Sequence, residues 1–194
     1  MTQKKENKIS KPYGKLEKSV ILIGMMGAGK SSIGKMLAAQ IGARFVDSDT
    51  EIEKAAKMTI PEIFELHGEA FFRDGEKRVF NRLLEPPPAI IAAGGGAFAH
   101  APTREIILMS GYSVWLKVNR ETLIRRVSKR PEKRPLLAQG DIENTITRLM
   151  NERYPIYAEA DIVVKSDDGR RSETVKVISE ILINHGILTK SDET

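Results

Sequence analysis

The sequence contains no cysteine among its 194 residues, and it has no apolar run long enough to cross a bilayer. The first absence excludes disulfide bonds, thiolate metal sites and a cysteine nucleophile, and it is compatible with a reducing cytoplasm. The second predicts that no segment spans a membrane, since a transmembrane helix needs about 20 apolar residues. Residues 1–18 also lack the apolar centre of a signal peptide. We therefore expect a cytoplasmic protein.

Internal repeats and an interdomain linker are missing as well. A chain of this length suits one domain with a sizeable core. We expect that domain at residues 19–187, between a flexible basic extension at 1–18 and a polar tail at 188–194. We expect a monomer.

The formal net charge is +5, and much of the positive charge lies in the amino-terminal extension. A second basic group lies near the middle of the chain: Arg125, Arg126, Lys129, Arg130, Lys133 and Arg134. A nucleic acid or a small anion such as ATP would account for this charge equally well. A second ATPase domain and an interleaved basic and aromatic surface are absent, which argues against a nucleic-acid-dependent ATPase. We expect neither a nucleic acid nor a membrane as partner.

The octet 24–31, Gly-Met-Met-Gly-Ala-Gly-Lys-Ser, fits the phosphate-loop pattern GxxxxGK[ST]. The apolar run Val20–Ile23 precedes it and is typical of a buried parallel strand, and a helical pattern over Lys30–Ile41 follows it. In this arrangement, backbone N–H groups and the positive end of the helix bind a polyphosphate. We predict that Lys30 contacts the β- and γ-phosphates and that Ser31 binds Mg²⁺. The alternative is a glycine-rich turn without a ligand.

Short apolar segments alternate with helical patterns along the rest of the chain. This alternation predicts an α/β fold in which helices cover both faces of a parallel sheet. The predicted strands are Val20–Ile23, 44–46, 89–93, 114–118 and 162–164.

Several helix ends are also marked in the sequence. Thr59 and Glu62 have the spacing of a capping box, and Asn119 and Ser172 are predicted to cap later helices. Gly186 stands where a helix ends with a left-handed residue.

Asp47 and Asp49 follow the second predicted strand, and ligands bind at such strand ends in open α/β sheets. If the strand continues, the two carboxylates point the same way, close to the phosphate loop. One then holds Mg²⁺ through water, and the other orients an acceptor hydroxyl. The alternative is that Asp49 only caps the next helix.

Three consecutive glycines, 94–96, follow the third predicted strand. They expose backbone N–H groups and let a ligand approach without obstruction by a Cβ atom, or they form a flexible turn. Arg73 and Arg153 are candidates for two-pronged binding of a carboxylate or phosphate, although most helix-surface arginines make only weak ion pairs.

Glu76 stands three residues after Arg73 and would hold its guanidinium on a helix face.

Arg134, in a proline-flanked loop, would stabilise the charge that spreads over the γ-phosphate in the transition state. The alternative for Arg134 is a solvated basic loop. The histidines have no metal-ligand spacing.

Taken together, these motifs resemble the shikimate kinase family over about residues 20–185. Each motif is weak alone, but six in the family's order and approximate spacing are specific. They are the phosphate loop, Asp47-Ser48-Asp49, Gly68-Glu69 before Phe72-Arg73, Gly94-Gly95-Gly96, Arg134-Pro135-Leu136-Leu137 and Arg153-Tyr154-Pro155-Ile156-Tyr157.

The resemblance implies a three-layer α/β/α phosphate-loop kinase fold with a five-stranded parallel sheet of order 2-3-1-4-5 and a mobile lid at about 130–140. It implies transfer of the γ-phosphate of ATP to the 3-hydroxyl of shikimate, giving shikimate 3-phosphate and ADP, in the chorismate pathway to aromatic amino acids. ATP and shikimate are the implied partners, and Mg²⁺ is the implied cofactor.

The resemblance also implies residue roles, which fall into four groups. The implied catalytic residues are Lys30, Asp49 and Arg134. The implied ATP-binding residues are Gly27, Ala28, Gly29, Lys30, Ser31, Ser32, Arg134 and Arg126, the last stacking on adenine. The implied shikimate-binding residues are Asp49, Arg73, Glu76, Gly94, Gly95, Gly96 and Arg153. The implied Mg²⁺ ligands are Ser31 and Asp47. Because a loose phosphoryl transition state needs positioning more than a strong base, Asp49 needs no unusual pKa.

Two other functions stay open. A gluconate-type kinase on the same fold also binds a carboxylate, so the two arginines do not separate the acceptors, although the aspartate pair and the triple glycine favour shikimate. A non-catalytic ATP-binding module is the second alternative. It is disfavoured because every expected catalytic position is filled.

Overall fold

The computed structural model describes residues 13–129, 141–167 and 169–190. The elements of this part of the chain, in order, are β1 (Tyr13–Leu16), β2 (Val20–Ile23), α1 (Lys30–Ile41), β3 (Arg44–Asp47), α2 (Ser48–Ala56), α3 (Ile60–Leu83), β4 (Ala89–Ala92), α4 (Ala101–Ser110), β5 (Tyr112–Lys117), α5 (Arg120–Val127), α6 (Ile142–Tyr157), β6 (Ile162–Lys165), α7 (Arg171–Asn184) and β7 (Leu188–Lys190).

The main sheet has five parallel strands in the order β3-β4-β2-β5-β6. The five predicted strands correspond to β2 to β6, so this is the predicted order 2-3-1-4-5. The predicted strands differ from the observed ones only by one or two residues at their ends. Every residue of β2 and β4 is buried, as expected for continuous apolar runs in the centre of a parallel sheet. After β2, the chain forms β3 and β4 on one side of that strand and then β5 and β6 on the other side. The end of β2 is therefore the point where the strand order reverses, and folds of this kind bind ligands there.

Helices pack on the sheet and on one another. Helix α1 contacts β3, β4 and α7, while α3 contacts α4 and α4 contacts β5. The predicted apolar stripe of α1 is buried, with Ile33, Leu37 and Ile41 each at most 4% exposed. The predicted α/β fold, a parallel sheet flanked by helices, is confirmed. Of the described helices, none combines the length and the apolar character needed to cross a bilayer.

Most of the predicted helix ends are confirmed. Thr59 and Glu62 form the capping box that begins α3, and the Asn119 side chain accepts from the N–H of Thr122 at the start of α5. Gly186 has a φ of 68° just after α7. The prediction for Ser172 is wrong, because α7 begins one residue earlier and places Ser172 in its first turn.

The amino-terminal extension was predicted to reach residue 18 and the carboxy-terminal tail to begin at residue 188. Both boundaries are wrong, because residues 13–16 and 188–190 have regular structure. These residues form β1 and β7, which pair antiparallel in a separate two-stranded sheet. Leu16 and Leu188 are opposite each other and buried, and the hydroxyl of Tyr13 accepts from Nε2 of Gln40 in α1 at 2.8 Å. Sequence reasoning missed both strands because each places few apolar residues among charged neighbours.

Gly34 lies on the face of α1 that packs against the sheet. A Cβ at this position would lie 2.6 Å from Cε2 of Phe45 and 3.1 Å from Cδ1 of Leu22. We expect Gly34→Ala to lower the free energy of unfolding by about 1 kcal/mol, because overpacking, which costs about 1–3 kcal/mol, exceeds the gain in helix propensity of about 1 kcal/mol.

Gly75→Ala is the matched control, because a Cβ at this position of α3 would meet nothing within 4 Å. Here the gain in helix propensity acts alone, and we expect the free energy of unfolding to rise by about 0.5–1 kcal/mol. Urea unfolding of both variants makes the comparison. Equal stabilisation by the two substitutions would contradict the close packing of α1 on the sheet.

Candidate active site

The phosphate loop joins the end of β2 to the start of α1. Gly24, Gly27 and Gly29 have φ angles of 141°, 81° and 97°, values that glycine adopts without steric cost. The Lys30 ammonium donates to the carbonyl oxygens of Gly24 at 2.8 Å and Met25 at 3.1 Å, so it lies over the loop. The predicted arrangement of strand, glycine loop and helix is confirmed.

The other predicted residues of this loop have different surroundings. Ala28 is buried, and its N–H donates to the carbonyl of Met25 at 3.1 Å, so this residue shapes the loop. Gly27, Gly29 and Ser32 are half-buried beside it. The loop therefore presents backbone and a helix amino terminus toward the cleft, which is the chemistry that binds an anion.

Ser31 and Asp47 come together at the mouth of this loop. The Ser31 hydroxyl donates to Oδ2 of Asp47 at 2.7 Å, which brings the first turn of α1 to the end of β3. Both groups supply the hard oxygen atoms that Mg²⁺ prefers. The described residues contain no cluster of three or more His, Cys, Asp or Glu side chains suited to a metal. These two oxygens therefore fit an ion that takes its remaining ligands from phosphate and water.

Asp49 lies in the first turn of α2, since β3 ends at Asp47 and the helix begins at Ser48. The spacing of two residues predicted that Asp47 and Asp49 lie on the same face of a continuing strand. This prediction is wrong, because the strand ends between them. The alternative that Asp49 caps the helix is also wrong, because the N-cap is Asp47, without a side-chain capping bond. The turn directs Asp49 toward Gly94, where a Cβ atom would collide with its Oδ1.

Burial raises the pKa of Asp49 above its ordinary value, and the negative charge of Asp47 raises it further. The positive charges of Lys30 and Arg73 oppose this effect without cancelling it. Phosphoryl transfer does not require an unusual pKa of this group, but its surroundings in the structure raise it. A raised pKa makes the carboxylate a better proton acceptor, which suits a group that bonds to a reacting hydroxyl.

Arg73 is held in the second part of α3, after a break in helical geometry at Gly68. Its Nη1 donates to Oε2 of Glu76 at 2.8 Å, and Nε and Nη2 donate to Oε1 of Glu69 at 3.2 and 3.1 Å. Glu76 is 1% exposed, so the predicted pairing of these residues on one helix face is confirmed. Burial raises the pKa of Glu76 more than the charge of Arg73 lowers it.

Arg153 extends from α6 to the same strand end. Its Nη1 donates to the carbonyl oxygen of Gly95 at 2.8 Å. A Cβ at Gly96 would lie 2.7 Å from Nη2 of Arg73. The three glycines after β4 thus each face a different charged side chain, namely Asp49, Arg153 and Arg73. The segment is a turn, as the alternative had it, and this turn packs closely against charged side chains.

Arg126 lies on the other side of the phosphate loop, in α5. Its guanidinium donates to the carbonyl oxygens of Ser166 at 3.1 Å, of Gly27 at 3.4 Å and of Asp167. It borders a small cleft whose other lining residues are Gly27, Ala28, Gly29, Ile33, Ser166, Gly169, Arg171 and Thr174. This cleft adjoins the phosphate loop, three of whose residues line it.

Arg134 and the whole predicted lid, 130–140, lie outside the described residues. Their predicted roles therefore stay predictions.

Several residues of the site were not found from the sequence. The buried Ser48 accepts from the N–H of Gly94 at 2.9 Å, and the hydroxyl of Tyr157 donates to the carbonyl of Gly95. All three residues were noted only as parts of motifs, although the spacing of Glu69, four residues from Arg73, is the signal for a helical ion pair. Ser48 and Tyr157 have no comparable local signal, since their partners lie far away in the chain.

Comparison with known proteins agrees with this geometry. A sequence model of the family described as "Shikimate kinase" matches residues 26–183. The chain belongs to the shikimate kinase family.

Individual relatives support this assignment. A shikimate kinase of Bradyrhizobium diazoefficiens is 50% identical over 168 residues, which cover 87% of this chain and 81% of the relative. The structure of a shikimate kinase from Acinetobacter baumannii in complex with shikimate has a TM-score of 0.80 at 38% identity, covering 86% of this chain and 94% of that chain.

A gluconokinase from Sinorhizobium meliloti is a more distant structural neighbour. Its TM-score is 0.54 at 15% identity, covering 89% of this chain and 99% of that chain. At this identity the likeness shows a shared fold and carries no information about the acceptor.

Gly96→Ala tests the contact between the strand end and Arg73. The new Cβ must displace the guanidinium, so we expect the KM for shikimate to rise at least tenfold, since a charged hydrogen bond contributes about 1.5–3 kcal/mol. The KM for ATP should stay the same. Gly95→Ala is the control and should have a smaller effect, because its Cβ would approach Arg153 only to 3.5 Å. Equal effects of the two variants would contradict the close contact at Gly96.

Glu76→Gln tests two effects of Glu76 separately, namely the orientation of Arg73 and the stability of the fold. We expect the KM for shikimate to rise several-fold, because Arg73 loses its buried ionic partner. The raised pKa of Glu76 means that ionisation costs stability in the folded state. Below pH 4.5, the ordinary pKa of a glutamate, this cost is absent. It grows as the pH rises through the higher pKa that Glu76 has in the folded state.

Urea unfolding of wild type and Glu76→Gln from about pH 4.5 to about pH 8 measures that cost. The difference in free energy of unfolding should move in favour of the glutamine variant as the pH rises. Movement in the opposite direction would show that the ion pair with Arg73 outweighs burial.

Proposed function

We propose that this chain transfers the γ-phosphate of ATP to the 3-hydroxyl of shikimate, giving shikimate 3-phosphate and ADP in chorismate biosynthesis. The observation that carries the proposal is the convergence of Asp49, Arg73 and Arg153 on three glycines beside a phosphate loop. This arrangement provides a carboxylate-binding pair, a hydroxyl-binding carboxylate and a phosphate site in one cleft. Membership of the shikimate kinase family supports the choice of acceptor.

The acceptor carboxylate is bound by Arg73 and Arg153. Each guanidinium has a planar set of donors that suits a carboxylate. Glu76 holds Arg73 from the buried side, and the Gly95 carbonyl holds Arg153, so both are oriented before the substrate binds. Preorganisation of this kind reduces the entropy lost on binding.

Asp49 orients the reacting hydroxyl. Its carboxylate lies beside the backbone of Gly94 and interacts electrostatically with both Lys30 and Arg73. In the ionised form it accepts a hydrogen bond from the hydroxyl and can take its proton as the bond to phosphorus forms. The positive charge of Lys30 neutralises negative charge on the phosphates during transfer.

Ser31 and Asp47 would hold Mg²⁺, and the residues of the nucleotide cleft would hold ATP. When bound, Mg²⁺ supplies charge neutralisation to the phosphates. Arg126 places its guanidinium beside the loop by bonding three backbone carbonyls. We place Arg134 over the γ-phosphate as part of a lid at about 130–140. We further propose a cytoplasmic monomer that needs neither nucleic acid nor membrane.

Release of ADP with Mg-ATP tests the proposal directly. Shikimate is compared with gluconate, a nucleoside monophosphate, single-stranded DNA or RNA, and no acceptor. We expect rapid turnover with shikimate alone. Turnover with another acceptor would keep the phosphate site and overturn the acceptor assignment, and ATP binding without any turnover would identify a non-catalytic module.

A further inference from the structure

Two tyrosines of α6, three residues apart, donate to backbone carbonyls at two different strand ends. The hydroxyl of Tyr154 donates to the carbonyl of Val118, just after β5, and the hydroxyl of Tyr157 donates to that of Gly95, just after β4. Because β2 lies between β4 and β5, the two bonds reach strand ends on opposite sides of β2.

The carbonyl oxygen of Gly95 accepts two hydrogen bonds, one from Tyr157 and one from Nη1 of Arg153 at 2.8 Å. A carbonyl oxygen has two lone pairs, so both of its accepting positions are used. The Arg153 guanidinium and the Tyr157 hydroxyl are therefore held at the same oxygen atom, and the two side chains also interact directly. Since Gly95 has no side chain to fix it by packing, its hydrogen bonds to α6 perform that role.

Tyr157 is well suited to hold this carbonyl. It is 1% exposed, and its ring packs against Trp115 and Phe98 with centroid distances of 5.9 and 6.3 Å. A buried ring with packed neighbours on two sides cannot change rotamer without opening the core. Burial also raises the pKa of Tyr157, so its hydroxyl stays protonated and able to donate.

We propose that Tyr157 is a positioning residue for the phosphoryl acceptor, acting by fixing the Gly95 carbonyl and through it the guanidinium of Arg153. This inference rests on the proposed role of Arg153 in binding the acceptor carboxylate. It means that the hydroxyl of Tyr157 contributes to the affinity for shikimate, in addition to the packing of its buried ring.

Tyr157→Phe tests the proposal, since it removes the hydroxyl and leaves the ring. We expect kcat/KM for shikimate to fall about fivefold, the effect of one net hydrogen bond, through a higher KM. The KM for ATP should stay the same within about twofold of its value. Melting temperatures confirm that the variant is folded under the assay conditions.

Tyr154→Phe is the matched control. Its ring also packs against Trp115, at 4.9 Å, and its hydroxyl also donates to a carbonyl, but that carbonyl lies away from Gly95. We expect no change in the KM for shikimate. A rise equal to that in Tyr157→Phe would mean that loosening the aromatic cluster is sufficient, and it would overturn the proposal.

Arg153→Ala completes a double-mutant cycle with Tyr157→Phe. If Tyr157 acts through Arg153, the phenylalanine substitution lowers kcat/KM for shikimate in the wild-type background and has little further effect in Arg153→Ala. Equal losses in both backgrounds would overturn the proposal, because Tyr157 would then act independently of the arginine.

The failure of this inference and the failure of the proposed function give different results. Wild-type turnover with shikimate, together with an unchanged KM in Tyr157→Phe, overturns only the role of Tyr157. Wild-type turnover with a different acceptor alone overturns the proposed function. The same cycle run with that acceptor then decides whether Tyr157 still acts through Arg153. An unaltered kcat/KM in Arg153→Ala overturns the proposal together with its premise.

Discussion

The proposed acceptor site depends on one constraint, which is the close passage of the backbone at residues 94–96 past charged side chains. A Cβ at Gly94 would collide with Asp49, and one at Gly96 would lie 2.7 Å from the Arg73 guanidinium. Between them, the Gly95 carbonyl accepts from Arg153. Three different helices, α2, α3 and α6, therefore bring their charged groups to one strand end. At positions 94 and 96, only glycine leaves room for these groups where they lie.

Buried carboxylates accompany the cations of this site, and burial raises the pKa of both Asp49 and Glu76. In neither case does the nearby Arg73 compensate fully for lost hydration. A buried ion pair of this kind is weak evidence for stability, because desolvation opposes attraction. Its contribution here is orientation. Glu76 holds the guanidinium from the core side, and the cleft side of Arg73 is directed at the glycines.

Helix α6 connects the two halves of the cleft. Arg153 and Tyr157 bond to the end of β4, and Tyr154 bonds to the end of β5, with the phosphate loop following β2 between them. Trp115 of β5 packs against both tyrosines and is itself 3% exposed. This buried aromatic cluster thus links the helix that carries Arg153 to the sheet beside the phosphate loop. A small displacement of such groups is costly to catalysis, since transfer requires the reactants in line.

The strand order was implied by the family resemblance. The sequence patterns by themselves determined the strands of the main sheet, the phosphate loop, most helix ends and the contact of Arg73 with Glu76. These follow from local signals: apolar period, glycine spacing, capping residues and the pairing of Arg73 with Glu76 one turn apart. Where α2 begins, and so where Asp49 points, depended on β3 ending at Asp47, two residues before Asp49. The pairing of β1 with β7 and the bond from Tyr157 to Gly95 joined residues far apart in the chain. Only the tertiary structure decided those contacts, because they arise from the packing of whole elements, and no short stretch of sequence encodes which distant partner a buried polar group will meet.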